Sequence, residues 1–238
     1  LGQTWDEGHL SKQGEIALNY LFSLGRIDEY IFRREYYSPI YYSLKYLFLQ
    51  SFPIKYQFEV NHLINLAFSI CAIFGITQVC KELFNKKVAK ITFMVLFLFP
   101  AFHGHMSFNS KDTIIAFCHV WIFYSLIKYL KNQSKTNSSK YFYNIGVLSS
   151  IGTGINLFFF GSLIPLFLFI FYDIFFGKKI CIKNFNNKKL FFDILKSFLI
   201  FYLLLVLFWI DTHPNIFILP FKFFVEWSFS DLWRGYPY

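Results

Sequence analysis

The sequence predicts an all-α polytopic membrane protein with about six transmembrane helices. Of its 238 residues, 55% are hydrophobic and only 16% are charged, whereas soluble globular proteins average about 25% charged residues. Several stretches also reach the roughly 17–25 apolar residues that a transmembrane helix needs. The net charge of +9 needs no nucleic-acid partner, because lysines and arginines collect in the cytoplasmic loops of membrane proteins.

Residues 1–61 are predicted to form a non-cytoplasmic loop, because charged residues recur too often here for burial in lipid. A helical pattern of apolar residues follows Ser11 and ends at Gly25, and an aromatic-rich run follows Pro39. Tyr and Trp favour the bilayer interface. We therefore expect two amphipathic juxtamembrane helices lying along the membrane surface.

Residues 62–210 are predicted to form the transmembrane bundle. The six spans cover about 62–79, 88–102, 113–130, 144–160, 161–176 and 190–210. The connectors 81–90, 128–140 and 178–189 are rich in lysine, which places them in the cytoplasm.

The segment 144–176 is expected to cross the membrane from the cytoplasm and return, because both connectors that flank it are basic. We expect its hinge near Gly161 and Ser162, since glycine permits local breaks and close helix packing.

Residues 211–238 are predicted to begin a further non-cytoplasmic interfacial segment, because Phe and Trp recur through them. The sequence opens at Leu1 without the basic and apolar stretches of a signal peptide. We expect it to be a fragment that lacks an N-terminal membrane helix and a C-terminal portion. The four cysteines show no paired spacing, so neither a disulfide framework nor a thiolate metal site is predicted.

The connector before the third predicted span is dense in polar groups. It carries His103, His105, Asn109, Lys111 and Asp112 between two apolar runs. The predicted topology places it outside, on the same face as residues 1–61. In the simpler interpretation, Asp112 is a helix-start acid, Lys111 reaches toward lipid head groups and the histidines are ordinary loop residues.

A second polar cluster opens the sequence with Asp6, Glu7 and His9. Adjacent carboxylates point in different directions, so one can act as a base while the other binds a cation or a donor head group. Alternatively, the pair is a solvated helix start, where acids favour the helix dipole. A metal site requires three or four convergent ligands. The sequence leaves open whether the two clusters meet around a divalent metal, and no cofactor is assigned.

Four stretches together carry a resemblance: the Asp6-Glu7 pair, the aromatic patch Tyr37–Tyr42, the entry His62–Asn65 and the connector Pro100–Asp112. They resemble the GT-C superfamily of integral membrane glycosyltransferases. The most similar branch is the bacterial relatives of dolichyl-phosphate-mannose protein mannosyltransferases, which include the aminoarabinose transferases that act on lipid A. The resemblance extends over essentially the whole sequence.

The resemblance implies an inverting transfer of a sugar from a polyprenyl-phosphate donor to a lipid, glycan or protein acceptor. It assigns the base to Asp6, with Glu7 completing the motif and Asp112 as a second active-site acid. The family often has an arginine where this chain has Asn156. The expected setting is a bacterial inner membrane, with the active site on the extracytoplasmic face and membrane lipids around it.

Donor groups near these acids are expected to bind the substrate and stabilise the leaving phosphate. The expected substrate-binding residues are His9, Tyr37, Tyr41, His103, His105, Asn109 and Lys111.

Two other classes of function are weaker fits. A transporter or channel places ionisable groups near the bilayer midplane, where these spans are almost free of charge. A membrane acyltransferase could use His62 or His103 as its base, but it leaves the Asp6-Glu7 pair unexplained.

Overall fold

The computed structural model describes residues 5–26, 38–100, 106, 110–182 and 185–233; the side chains of 5–7, 110 and 227–233 lie outside this description. The described residues form helices and connecting turns, with no strand among them. The helices are α1 Trp5–Phe22, α2 Ile40–Leu49, α3 Ile54–Leu83, α4 Lys86–Leu98, α5 Ser110–Asn132, α6 Lys140–Ile155, α7 Phe158–Ser162, α8 Ile164–Tyr172, α9 Asn187–Phe208 and α10 Leu219–Trp233. A π-helical turn, Asp173–Gly177, extends α8, and a 3₁₀ turn, Ile210–Asn215, separates α9 from α10.

Four helical segments of the described residues are long and apolar enough to cross a bilayer, as expected of a helical membrane protein. These are Ile54–Leu83, Lys111–Asn132, Phe158–Gly177 and Asn187–Phe208. The predicted count of about six is not reached among the described residues. Helices α4 and α6 have only 13 and 16 residues, so they rise about 20 and 24 Å against a hydrocarbon core of about 30 Å.

Helix α5 lies in the middle of the bundle. It packs against α3 on one side and α6 on the other, while α4 packs against α3 and α9 against α6. The side chains of Ile114, Cys118, Ile122 and Leu126 recur at helical spacing and are at most 2% exposed. This buried stripe is the apolar face that the helical period predicts for a central helix.

The helix that follows the basic connector 128–140 breaks at Asn156, five residues before the hinge predicted near Gly161 and Ser162. Helix α6 ends at Ile155, and Asn156 adopts an extended conformation (φ −151°, ψ 119°). The Asn156 Oδ1 then accepts the N–H of Phe158 at 2.9 Å and caps α7. Gly161 lies inside α7. The break occurs at the asparagine because its side chain supplies the hydrogen bond that a new helix start needs.

Helix α2 differs from the amphipathic surface helix that the sequence predicted. Its polar residues Ser43 and Lys45 are buried, whereas Leu44, Leu47 and Phe48 are about half exposed. The Lys45 Nζ lies over two tyrosine rings of the same helix, 5.6 and 5.3 Å from their centroids. An exposed apolar face of this kind suits contact with lipid chains.

Two glycines set the distance between α2 and its neighbours. A Cβ added to Gly14 of α1 would lie 2.5 Å from the carbonyl oxygen of Tyr42, and one added to Gly154 of α6 would lie 2.6 Å from that of Ser38. The Ser38 hydroxyl also donates to the carbonyl of Leu205 in α9 at 2.9 Å. Helix α2 therefore lies in backbone contact with α1, and Ser38 just before it contacts the backbone of α6 and anchors the chain to α9.

Gly154→Ala is expected to destabilise the protein by about 1–3 kcal/mol, because the new methyl group overpacks against the backbone carbonyl of Ser38. Gly161→Ala is the matched control, since nothing lies within 4 Å of a Cβ at that position. Thermal unfolding in detergent micelles measures both variants. Equal melting temperatures for the two variants would contradict the close approach at Gly154.

Candidate functional site

A polar cavity lies at the end of the bundle opposite the basic connectors. Its volume is about 180 Å³. Its walls come from α1, α2, the start of α5 and the end of α6. The lining residues are His9, Leu10, Gln13, Pro39, Tyr42, Lys111, Gly154, Ile155 and Asn156.

The close approach of α1, α2 and α6 builds three sides of this cavity. Gly14 allows α1 to lie directly against α2, and Gly154 allows α6 to lie directly against Ser38, just before α2. Because α6 ends at Ile155, Asn156 lies outside the helix and its side chain lines the cavity. Helix α5 begins at Ser110, so that Lys111 closes the remaining side.

The polar groups around the cavity are mainly hydrogen-bond donors. The amide nitrogen of Gln13 lies 2.8 Å from Nε2 of His9. An amide N–H can only donate. The carbonyl oxygen of Asn156 already caps α7, which leaves its NH₂ group as a donor. Together with the half-buried ammonium of Lys111, these groups suit an anionic ligand.

One residue of each predicted polar cluster lines the cavity: His9 of the first and Lys111 of the second. Asp6 and Glu7 lie in the first turn of α1, and His9 follows Asp6 by about one helical turn. Asp112 lies in the first turn of α5, directly after Lys111, and its side chain is exposed. Four further predicted substrate-binding residues and two catalytic side chains lie outside the described part of the chain. These are Tyr37, His103, His105 and Asn109, and the side chains of Asp6 and Glu7.

Tyr41, which the sequence suggested for substrate binding, lies in the core rather than at the cavity. It is 5% exposed, and its hydroxyl is 3.5 Å from Oδ1 of Asn65. Burial, with a smaller contribution from the nearby Cys118, raises the pKa of Tyr41 above its ordinary value. Its neighbour Tyr42 lines the cavity instead, because successive residues of a helix point about 100° apart.

The structure also pairs polar residues that sequence reasoning missed. His119 of α5 lies with Nε2 2.8 Å from the hydroxyl of Ser162 and with Nδ1 3.3 Å from the carbonyl of Ile115. The Ser162 hydroxyl also donates to the Phe159 carbonyl at 2.6 Å. A hydroxyl has one proton, and the shorter bond uses it. We therefore interpret this pair as a hydrogen-bonded link between α5 and α7 rather than as a nucleophile and its base.

Within the described ranges, no group of three or more His, Cys, Asp or Glu side chains is placed to hold a metal ion. His103 and His105 fall outside those ranges. The divalent metal therefore stays a prediction.

Comparisons of the chain with protein-family models, with curated proteins and with solved structures gave no match. A proposal for its function consequently rests on the cavity and its residues.

Cysteine labelling tests whether the cavity residues share one side of the membrane. The four native cysteines are first replaced by alanine. In that background, His9→Cys and Lys111→Cys are each expected to react with a membrane-impermeant maleimide from the same side. Lys179→Cys, in the basic connector, is expected to react only from the other side. Labelling of right-side-out and inside-out vesicles measures the sidedness. Reaction of His9→Cys and Lys111→Cys from opposite sides would rule out a shared cavity.

Proposed function

We propose that this protein is a membrane glycosyltransferase that moves a sugar from a polyprenyl-phosphate donor to a lipid, glycan or protein acceptor at the non-cytoplasmic face. One observation carries the proposal: the donor-lined cavity joins His9, one turn after the Asp6-Glu7 pair, to Lys111, directly before Asp112. Sugar transfer from a phosphate leaving group requires a general base together with hydrogen-bond donors for the phosphate, and the cavity supplies such donors.

In this proposal, Asp6 accepts the proton of the acceptor hydroxyl or amine while the acceptor oxygen or nitrogen attacks the anomeric carbon. The bond from that carbon to the phosphate oxygen breaks, and the configuration inverts. Charge develops on the departing phosphate. The ammonium of Lys111 and the NH₂ group of Asn156 are positioned on the cavity wall to stabilise that charge. Asp112 is the second acid of the site.

An apolar groove beside the cavity supports a lipid-linked donor. Its volume is about 250 Å³, and it lies between the α6–α7 break, α9 and α10. Thr153 and Leu157 line the groove and directly flank Gly154–Asn156, which line the polar cavity. A ligand with a phosphate head and an isoprenoid chain could therefore occupy both spaces at once.

The alternatives gain less support from the described residues. The acids Asp173 and Asp193 of the membrane helices are buried near the basic connectors, where backbone N–H groups and a tyrosine hydroxyl bind them. A transport pathway would need such groups nearer the midplane. His62, the candidate base of an acyltransferase, is 5% exposed and packs its ring against Phe58.

Asp6→Asn and Asp112→Asn are each expected to abolish sugar transfer while leaving membrane insertion and expression intact, because an amide can replace neither the base at Asp6 nor the second acid at Asp112. Glu15→Gln is the matched control, since Glu15 pairs with Lys12 on α1 and does not line the cavity. The assay follows consumption of polyprenyl-phosphate mannose and polyprenyl-phosphate aminoarabinose in proteoliposomes, with lipid A and peptides as acceptors. Wild-type rates of sugar transfer in both aspartate variants would rule out the proposed function.

Asn156→Asp is expected to raise the KM for the lipid-phosphate donor at least about tenfold, because it sets a negative charge against the donor phosphate. The melting temperature is expected to stay unchanged, since aspartate caps a helix as well as asparagine does. Asn137→Asp in the exposed loop at the basic end is the control for added charge. An unchanged KM in Asn156→Asp would show that the donor phosphate binds elsewhere.

A further inference from the structure

The end of the bundle opposite the cavity gathers four lysine-rich segments around the last turns of α5. We define this basic end as residues 81–90, 128–140, 173–182 and 185–196 within the described chain. Glu82 of the first segment pairs with Lys128 at 3.0 Å and with Lys131 at 3.2 Å. The backbone N–H of Ile182 donates to the carbonyl of Leu130 at 3.3 Å.

The fourth segment is fixed to the connector that follows α5 by Gln133 and Lys189. The side chain of Gln133 exchanges hydrogen bonds with the backbone of Asn186, at 2.9 and 2.7 Å. The Lys189 Nζ binds the carbonyl of Gln133 at 2.8 Å and the hydroxyl of Ser138 at 2.6 Å. The four segments therefore form one continuous surface rather than separate loops.

Every acid of this basic end is turned inward and bonded within the protein. The Asp173 carboxylate is 4% exposed and accepts the backbone N–H groups of Lys179 at 3.0 Å and Cys181 at 2.9 Å. Asp193 is 2% exposed and accepts the hydroxyl of Tyr129 at 2.8 Å. Glu82 is neutralised by its two lysines. No acidic side chain of the basic end is thus exposed to balance charge at the surface.

The lysines, in contrast, are mostly exposed. Those on the surface include Lys86, Lys87, Lys135, Lys178, Lys179 and Lys188. Apolar and aromatic side chains lie next to them in the sequence and are also exposed: Phe84 by 68% and Phe176 by 78%. Lysines beside exposed aromatic rings are typical of a surface that sits at the level of lipid head groups.

We propose that the basic end binds the anionic head groups of phospholipids in the leaflet that it faces. The uncompensated positive charge, the exposed aromatic residues and the placement at the end of apolar spans together fit a phosphodiester head group attached to acyl chains. Because the surface lies at the opposite end of the bundle from the cavity, this inference does not depend on the proposed function.

Native mass spectrometry tests the proposal. The protein is released from vesicles that contain equal amounts of phosphatidylcholine and phosphatidylglycerol, and the lipids that remain bound are counted. The wild type is expected to retain phosphatidylglycerol preferentially and to lose this preference when released at high salt. One combined variant replaces four exposed lysines: Lys86→Gln, Lys87→Gln, Lys178→Gln and Lys179→Gln. It is expected to reduce the preference for phosphatidylglycerol by about fivefold for each lysine replaced.

Two controls separate charge from folding. Arginine at the same four positions is expected to keep the preference for phosphatidylglycerol. Lys12→Gln with Lys55→Gln, at the other end of the bundle, is expected to leave it unchanged. Equal retention of the two lipids by the wild type, or an undiminished preference in the glutamine variant, would overturn the proposal.

Discussion

Helix α5 is the element on which both faces of the bundle depend. Its middle presents a buried apolar stripe to α3 and α6, and its polar side chains lie mainly near its two ends. A bilayer core provides no water to pair with polar groups, so such groups are stable in a span only where the protein itself binds them. At its start, Lys111 faces a cavity. In its last turns and directly after its end, Lys128, Lys131 and Gln133 bind neighbouring segments.

The cavity depends on backbone contact between helices, which glycine alone permits at these positions. Gly14 brings α1 against α2 and Gly154 brings α6 against Ser38, just before α2, and the break at Asn156 then turns an asparagine amide toward the enclosed space. A methyl group at either glycine would push backbone away from backbone. The shape of the candidate site is therefore set by residues that offer no chemistry themselves.

The two ends of the bundle differ in where their charged side chains lie. At the cavity, cationic and amide donors line open space, and the predicted acids lie in the adjoining helix turns. At the basic end, the three acids are bonded internally and the lysines are left on the surface. The first arrangement suits the phosphate of a reacting lipid donor, and the second suits the phosphates of the surrounding membrane. Both use the same attraction between cations and phosphate oxygens.

The sequence by itself determined the class of protein, the approximate course of α3, α5 and α9, and the basic character of one end, because the length of an apolar run and the position of lysines are local properties. It also indicated Lys111 and Asp112 as residues of interest. Only the tertiary structure decided that the chain breaks at Asn156, that Tyr42 rather than Tyr41 lines the cavity, and that α2 turns its polar side chains inward. Each of these depends on which neighbour covers a given face, and helical period alone does not specify that neighbour.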